Sequence, residues 1–469
     1  MSKPGAGCII VEMSIRFASS VCAIVIAVWP GRCQASAAPV AGGDGPIYFD
    51  LNDAGDTMDP GTLVVPWKTV HLDKDYGGRW VVAGDIDGDG QVEIVSAENF
   101  NAGDVHHTSA VAAQRLDGTV LWTWGDAAIG RKEWHHDVAC QIYDLDQDGR
   151  NEVIVATKGF LVRLDGRTGN EIRRIPIEDE ATDCIVICNL RGTARPQDIL
   201  VKDRYRRIWA YNHWGNLLWT VQDPGGFRTA HQPVPVDIDG DGRDEIMAGY
   251  AMLNHDGSVR WVYKSETVDQ GRGHLDCVRV LRQGERPRDW RLVLTCCGAN
   301  NIAVVDGEGR ILWEKAGYHF ESIDVGRIFA DEAGPQILVD IDHQPFGKCP
   351  MWVMNEQGVL LARITTDYSR HHVLVDWTGD GLDEVVVAYN GAVYNNAGRR
   401  IATLAVPDNE VSAKDPVEQR SILTGDMDGD GVRDVLMTTN TAVYIYRNVQ
   451  GAKPNEKAPL GTGLNVTLY

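Results

Sequence analysis

The chain has 469 residues with 66 acidic against 45 basic side chains, a formal net charge of −21. Charge of that sign and size excludes nucleic acid and anionic membrane as partners, since both would repel it. With 43% hydrophobic residues, a chain of this length can bury a large core.

At the N-terminus, Arg16 precedes an apolar stretch from Phe17 to Trp29, and Ala35-Ser36-Ala37 offers a small-residue cleavage site. This is the pattern of a secretory signal over residues 1–37, with Met13 as an alternative start. The apolar stretch is shorter than the roughly 20 residues that cross a bilayer, so no membrane span is expected. A secreted or periplasmic protein follows. Of ten cysteines, Cys8, Cys22 and Cys33 leave with the signal, and an odd number cannot all pair, so no disulfide framework is expected. Residues 38–78 form an extension in which Gly61 to Leu72 reads as a strand.

From residue 79 the chain is organised by acidic loops. The first holds Asp85, Asp87 and Asp89, with Glu93 behind them; the others hold Asp144, Asp146, Asp148 and Glu152, then Asp237, Asp239, Asp241 and Glu245. Asp376, Asp380 and Glu384, with Thr378 at the third position, make the fourth, and Asp426, Asp428, Asp430 and Asp434 the fifth. Oxygen side chains at positions 1, 3 and 5, a glycine at 6 and a carboxylate at 9 form a hard, many-oxygen site of the kind Ca²⁺ takes. An apolar β-branched run follows each loop, so these are calcium loops between strands and not EF-hands. Their spacing reads as one, two, three and one repeats of roughly 50 residues, which makes eight units of a β-propeller. Seven blades is the alternative. The skipped units lie at Asn189 to Leu200, Val280 to Leu294 and Val325 to Val339.

Each unit also carries a turn into a strand that often ends on tryptophan, as in Leu116-Asp117-Gly118 to Trp122. The eighth unit stops after Thr441 to Tyr446 and lacks an outer strand. The N-terminal strand is expected to supply it, closing an all-β ring over residues 79–450 and removing exposed edges. Residues 451–469 are an extended tail. A monomer is expected.

Histidines recur in the segments that lead into each first strand: His135 and His136, His231, His274, His319, and His371 and His372. Repetition at one topological position brings imidazoles toward a common funnel. His231, His274 and Asp276 with Cys297 (or its neighbour Cys296) make a mixed nitrogen, oxygen and sulfur set. Such a set favours zinc or another borderline divalent metal; without the cysteines it suits calcium or manganese. Lys202, Arg204, Tyr205 and Arg228 lie near the same rim, where cations can neutralise a substrate carboxylate and a phenol or imidazole can move a proton. Trp134 and Trp214 are candidates for stacking on sugar rings.

These stretches resemble the rhamnogalacturonan lyases of polysaccharide lyase family 11. The resemblance lies in Val82 to Glu98, Leu116 to Trp122, His136 to Glu152, Val236 to Asp256, the Gly273-His274-x-Asp276 motif and Pro459 to Gly463. It implies a calcium-rich eight-bladed propeller that cleaves an acidic polysaccharide by β-elimination at a uronic acid. His136 or Tyr205 would be base or acid, helped by Arg228 and Lys202, with His231, His274 and Asp276 on a metal. This sequence departs from the family pattern in having Cys296 or Cys297 where a glutamate is expected, and in lacking room for an extra N-terminal β domain. Two other readings stay open. One is a non-catalytic propeller of the FG-GAP or VCBS kind that binds glycan or protein; the other is a lyase of the ulvan or rhamnosyl-glucuronate type.

Overall fold

The computed structural model describes residues 47–50, 61–102, 105–129, 140–266, 273–342, 349–365, 368–406, 420–451 and 460–467. They form eight antiparallel sheets in a ring. Blade 1 runs from Trp80–Gly84 to Val120–Gly125, blade 2 from Cys140–Tyr143 to Glu171–Pro176, and blade 3 from Cys184–Cys188 to Leu217–Gln222. Blade 4 runs from Thr229–Val236 to Val259–Val262, blade 5 from His274–Arg282 to Ile311–Ala316, and blade 6 from His319–Gly326 to Leu360–Thr365. Blade 7 runs from His372–Val375 to Arg400–Leu404, and blade 8 from Ser421–Gly425 to Ala442–Tyr446. First strands of successive blades are neighbours, so they line the central channel.

The strand sequences follow from this stacking. A second strand such as Glu152–Thr157 has neighbouring blades on both faces, and Val153, Ile154, Val155 and Ala156 are all buried. It therefore reads as a continuous apolar run. Outer strands face solvent and carry mixed residues, as Leu217–Gln222 does. Tryptophans within the outer strands tie several blades to the next one. Trp122 Nε1 donates to Gly166 O (2.7 Å), Trp261 Nε1 to Gly307 O (3.0 Å) and Trp313 Nε1 to Glu356 O (2.7 Å). The indole lies so close to the next turn that a methyl group on Gly309 would meet Trp261 Cδ2 at 2.6 Å.

The expected closure is present: Lys68–His71 pairs antiparallel with Ala442–Tyr446 and completes blade 8. Two further N-terminal strands add to outer edges in parallel, Ile47–Asp50 on blade 6 and Thr62–Val64 on blade 7. The sequence reading has only one strand there. Short parallel edge additions of three or four residues leave no periodic pattern to read.

The C-terminal segment is inside the ring. Asp426 bridges to Leu460 and Gly461, and the Thr462 N–H donates to Ala83 O (2.9 Å). Further along, Asn465 exchanges hydrogen bonds with Gln141 and Ile187, and Gln232 Nε2 donates to Asn465 O (2.8 Å). The tail thus touches the first strands of blades 8, 1, 2, 3 and 4. It also forms one wall of a channel cavity of about 510 Å³, whose other walls come from blades 4 to 8. Among the described residues no helix is long and apolar enough to cross a membrane.

Candidate functional site

The five acidic loops join first to second strands, so they all lie on one face of the ring. Within each, local geometry is set by backbone amides. In the first loop the N–H groups of Gly88 and Gly90 donate to the two oxygens of Asp85 (2.7 and 3.0 Å), and Glu93 Oε2 accepts from the Ile86 N–H (3.1 Å). Donors to Glu152, Glu245, Glu384 and Asp434 repeat that last contact. It also survives in skipped units, where Asp198 accepts from Leu190 and Gln336 from Ile328. Gln147 takes φ 63° in the second loop, where the first has Gly88 at φ 79°.

These oxygens converge as cation ligands would. Three donor atoms fall within 4.8 Å of one another in Asp85/Asp87/Glu93, in Asp144/Asp146/Asp148 and in Asp237/Asp239/Glu245. Burial first, then the charges of Asp87, Asp89 and Asp85, push the Glu93 carboxyl up to about 7. Glu245 and Glu384 are likewise pushed up to about 7 and Asp434 to about 6, each chiefly by burial. Carboxyls raised this far by burial and by one another's charge suit a site that takes a cation. An arginine reaches several loops: Arg115 to Asp87 (2.9 Å), Arg163 to Asp146 (2.6 Å) and Glu152 (2.5 Å), Arg260 to Asp239 (2.8 Å), and Arg447 to Asp428. Sequence reasoning missed these partners, which sit two or three strands downstream.

At the opposite face three of the recurring histidines meet. Asp276 Oδ1 lies 3.1 Å from His274 Nε2 and 3.6 Å from His231 Nε2, and Oδ2 lies 3.6 Å from His319 Nε2. Cys297 Sγ is 3.4 Å from His319 Nε2. The strand register explains the convergence. First strands of blades 4, 5 and 6 each break register near the funnel, between Thr229 and Val234, Leu275 and Cys277, and Phe320 and Ile323. Such bulges re-aim the side chains they contain, here His231, Asp276 and Glu321. Cys297 pairs with His274 and turns to the funnel, whereas Cys296 is buried in the core cluster shared by blades 4 and 5. Cys297 is the cysteine of the site. Its thiol is pushed up to about 12 by burial and by the carboxylates of Asp276 and Glu321, an environment that calls for a cation. Two imidazoles and a buried carboxylate, with a thiol and a third imidazole beside them, fit a divalent metal.

Tyr205 stands beside this cluster, its ring 4.9 Å from His274 and 5.9 Å from His231. Arg204 and Arg228 lie against the ring at 5.2 and 4.9 Å. Lys202 is elsewhere: it is buried, 2.6 Å from Asp183, and donates to Arg204 O (3.0 Å). It therefore anchors the arginine-bearing loop and does not face the funnel. Asp183 also meets His106 Nδ1 (2.6 Å), which reaches over from the long second hairpin of blade 1. Burial would raise the Asp183 carboxyl, but Lys202, His106 and Arg204 outweigh it and hold it well below the usual range. Neither His106 nor Asp183 is marked in the sequence.

The remaining candidates are placed as follows. His136 and Trp134 lie outside the described residues. His372 faces the channel cavity and pairs with Asp324, away from the cluster. Trp214 stacks near Arg191 on the acidic-loop face, so it cannot line the funnel. No disulfide joins any of the seven described cysteines.

A propeller with acidic loops on one face and a histidine, carboxylate and thiol cluster at its funnel defines a class, and comparison with known proteins gives the family. Residues 204–456 match the model of rhamnogalacturonan lyase family 11, C-terminal domain, so the chain belongs to that family. It is 27% identical over 292 residues to the rhamnogalacturonan endolyase YesW of Bacillus subtilis, covering 46% of this chain and 45% of that protein. To the exolyase YesX of the same organism it is 27% identical over 326 residues, covering 55% and 51%. The chain spans about half the length of these curated relatives. The crystal structure of YesW superposes with a TM-score of 0.56 at 21% identity, covering 83% of this chain and 77% of that one. The V. cholerae biofilm matrix protein Bap1 gives 0.54 at 14% identity, covering 87% and 94%. The fold is thus shared with a protein described by another role, and any functional reading has to rest on the site.

Proposed function

We propose that the chain is a secreted polysaccharide lyase acting on a uronic-acid-containing, rhamnogalacturonan-like polymer by metal-assisted β-elimination. The observation that carries this reading is the funnel cluster with two guanidinium groups against the Tyr205 ring beside it. Membership of the family supports it.

His231, His274 and Asp276 would hold a divalent metal, which supplies charge neutralisation at a substrate carboxylate. Arg228 and Arg204 add positive charge on the same side, so an acidic sugar is drawn to an otherwise acidic protein. Neutralising the carboxylate acidifies the proton at C5 of the uronate, and Tyr205 is the group placed to take it. Bonding electrons from C5–H then form the C4–C5 double bond as the C4 oxygen leaves. Lys202 and Asp183 fix the loop that carries Arg204 and Tyr205. Calcium in the five acidic loops has a separate task, which is to hold the blades.

The test is ultraviolet absorbance of the unsaturated uronate product on a panel of rhamnogalacturonan, ulvan and other uronate polymers. Tyr205→Phe should lower turnover roughly 10²- to 10⁴-fold, the usual worth of a proton-transfer group, with unchanged melting temperature. Absence of product on every polymer from a folded, metal-loaded protein overturns the lyase reading and leaves a binding propeller.

A further inference from the structure

We infer that the funnel holds two metal positions and not one, with Asp276 as the bridging carboxylate and Cys297 and His319 as ligands of the second, a zinc-like centre. This rests on the funnel reading above and deepens it.

The donors separate into two triads that share only Asp276: His231/His274/Asp276, and Asp276/Cys297/His319. Each carboxylate oxygen serves one triad. Oδ1 faces His231 and His274, and Oδ2 faces His319. Two divalent ions about 3.5–4 Å apart are the usual spacing of such paired centres, a span one carboxylate can bridge.

The second triad has the dimensions of a thiolate-bearing zinc site. With Zn–N at about 2.0–2.1 Å and Zn–S at about 2.3 Å, tetrahedral angles place nitrogen and sulfur ligands about 3.6 Å apart, and nitrogen and oxygen about 3.3 Å. The observed separations are 3.4 Å for His319 Nε2 to Cys297 Sγ and 3.6 Å for His319 Nε2 to Asp276 Oδ2. A sulfur ligand selects against calcium, which takes oxygen.

The supporting shell is also built. Glu321 Oε2 lies 3.3 Å from His319 Nδ1, the ring nitrogen not turned to Cys297 and Asp276. Arg370 fixes the other oxygen of Glu321 at 2.8 Å. A carboxylate at that ring nitrogen stands where the orienting partner of a ligating imidazole is usually found. On the sulfur side, Tyr250 Oη donates to Cys297 O (2.7 Å) and holds the strand end in place.

The experiment counts ions. Protein kept in calcium is stripped of transition metals with a zinc-selective chelator, reloaded with Zn²⁺, passed through a desalting column and measured by plasma mass spectrometry. A Co²⁺-loaded sample is read for a sulfur-to-cobalt charge-transfer band. Two zinc ions per chain are expected, falling to one without the band in Cys297→Ser and to one with the band in His231→Ala. Melting curves in calcium establish that both variants fold. One zinc ion in the unsubstituted chain overturns the two-position inference, whether or not the band is present, and leaves a single funnel metal as proposed above. No retained transition metal overturns the second position alone; the metal-assisted mechanism, which calcium at His231, His274 and Asp276 would also serve, is decided separately by the absorbance assay with and without calcium.

Discussion

His372 shows what a single buried residue contributes to the ring. Its Nδ1 lies 2.9 Å from Asp324 Oδ2 and its Nε2 3.7 Å from Asp340 Oδ1, both carboxylates belonging to blade 6 while the histidine belongs to blade 7. Burial alone would lower the imidazole; the hydrogen bond to Asp324 and the charges of Asp324 and Asp340 outweigh it and hold it at about 9. Because the folded value lies above the ordinary 6.5, the stabilisation is complete below pH 6.5 and is lost as pH rises through about 9. A shift of that size corresponds to roughly 3 kcal/mol. In His372→Gln the deficit in unfolding free energy relative to the parent should be large near pH 6.5 and should shrink toward pH 9. Denaturant melts across that interval measure it, and a deficit that does not change with pH means that the contact is not ionic. Residues of this kind mark the limit of what the sequence shows. His231, His274 and Asp276 are legible because each stands where a first strand begins. The roles of Glu321 and Asp183 are not, since each also needs a partner from outside its own blade, Arg370 and His106, whose spacing follows no sequence period.

At the scale of the element, the acidic loop is nearly self-contained. Its amides, glycines and carboxylates lie within ten residues, and the pattern is legible for that reason in all five copies. Asp198 and Gln336 keep the contact to the backbone N–H but have lost the other ligands, so the skipped units look like ordinary strand pairs in sequence. Without a cation, Glu93, Glu245 and Glu384 are pushed up to about 7 from 4.5. Their protonation stabilises the fold fully below pH 4.5, and that contribution is lost as pH rises through about 7. The chelated protein should therefore become more stable on acidification from above pH 7 toward 4.5. Calcium replaces the protons, so its effect on melting temperature should grow with pH over the same range. At free calcium 100-fold above Kd each occupied loop adds about 2.7 kcal/mol. Calorimetry with and without chelator at several pH values decides the matter; a calcium shift that is flat in pH sinks the reading of these carboxylates as ligands.

At the scale of the whole molecule, a ring has one seam, where the last blade meets the first. Here the seam is held from both sides. Lys68–His71 completes blade 8 on the outside just before the chain enters blade 1, and on the channel side Gly461 N donates to Asp426 O of blade 8 while Thr462 N donates to Ala83 O of blade 1. The inner clasp depends on one glycine. Gly461 has φ 85°, and a Cβ there would lie 2.0 Å from Ala83 O, a distance no real contact allows. Gly118, in a hairpin turn of blade 1, has nearly the same φ of 88° but nothing within 4 Å of the added carbon. Gly118→Ala therefore meets only backbone strain, about 1 kcal/mol. Gly461→Ala adds a collision with backbone that must move the strand or expel the tail, for a total of about 3 kcal/mol. The two substitutions should separate clearly in denaturant melts, and deletion from Leu460 onward should resemble Gly461→Ala. Equal costs for the two alanines would mean that the tail does not sit against Ala83 and that Lys68–His71 closes the ring alone.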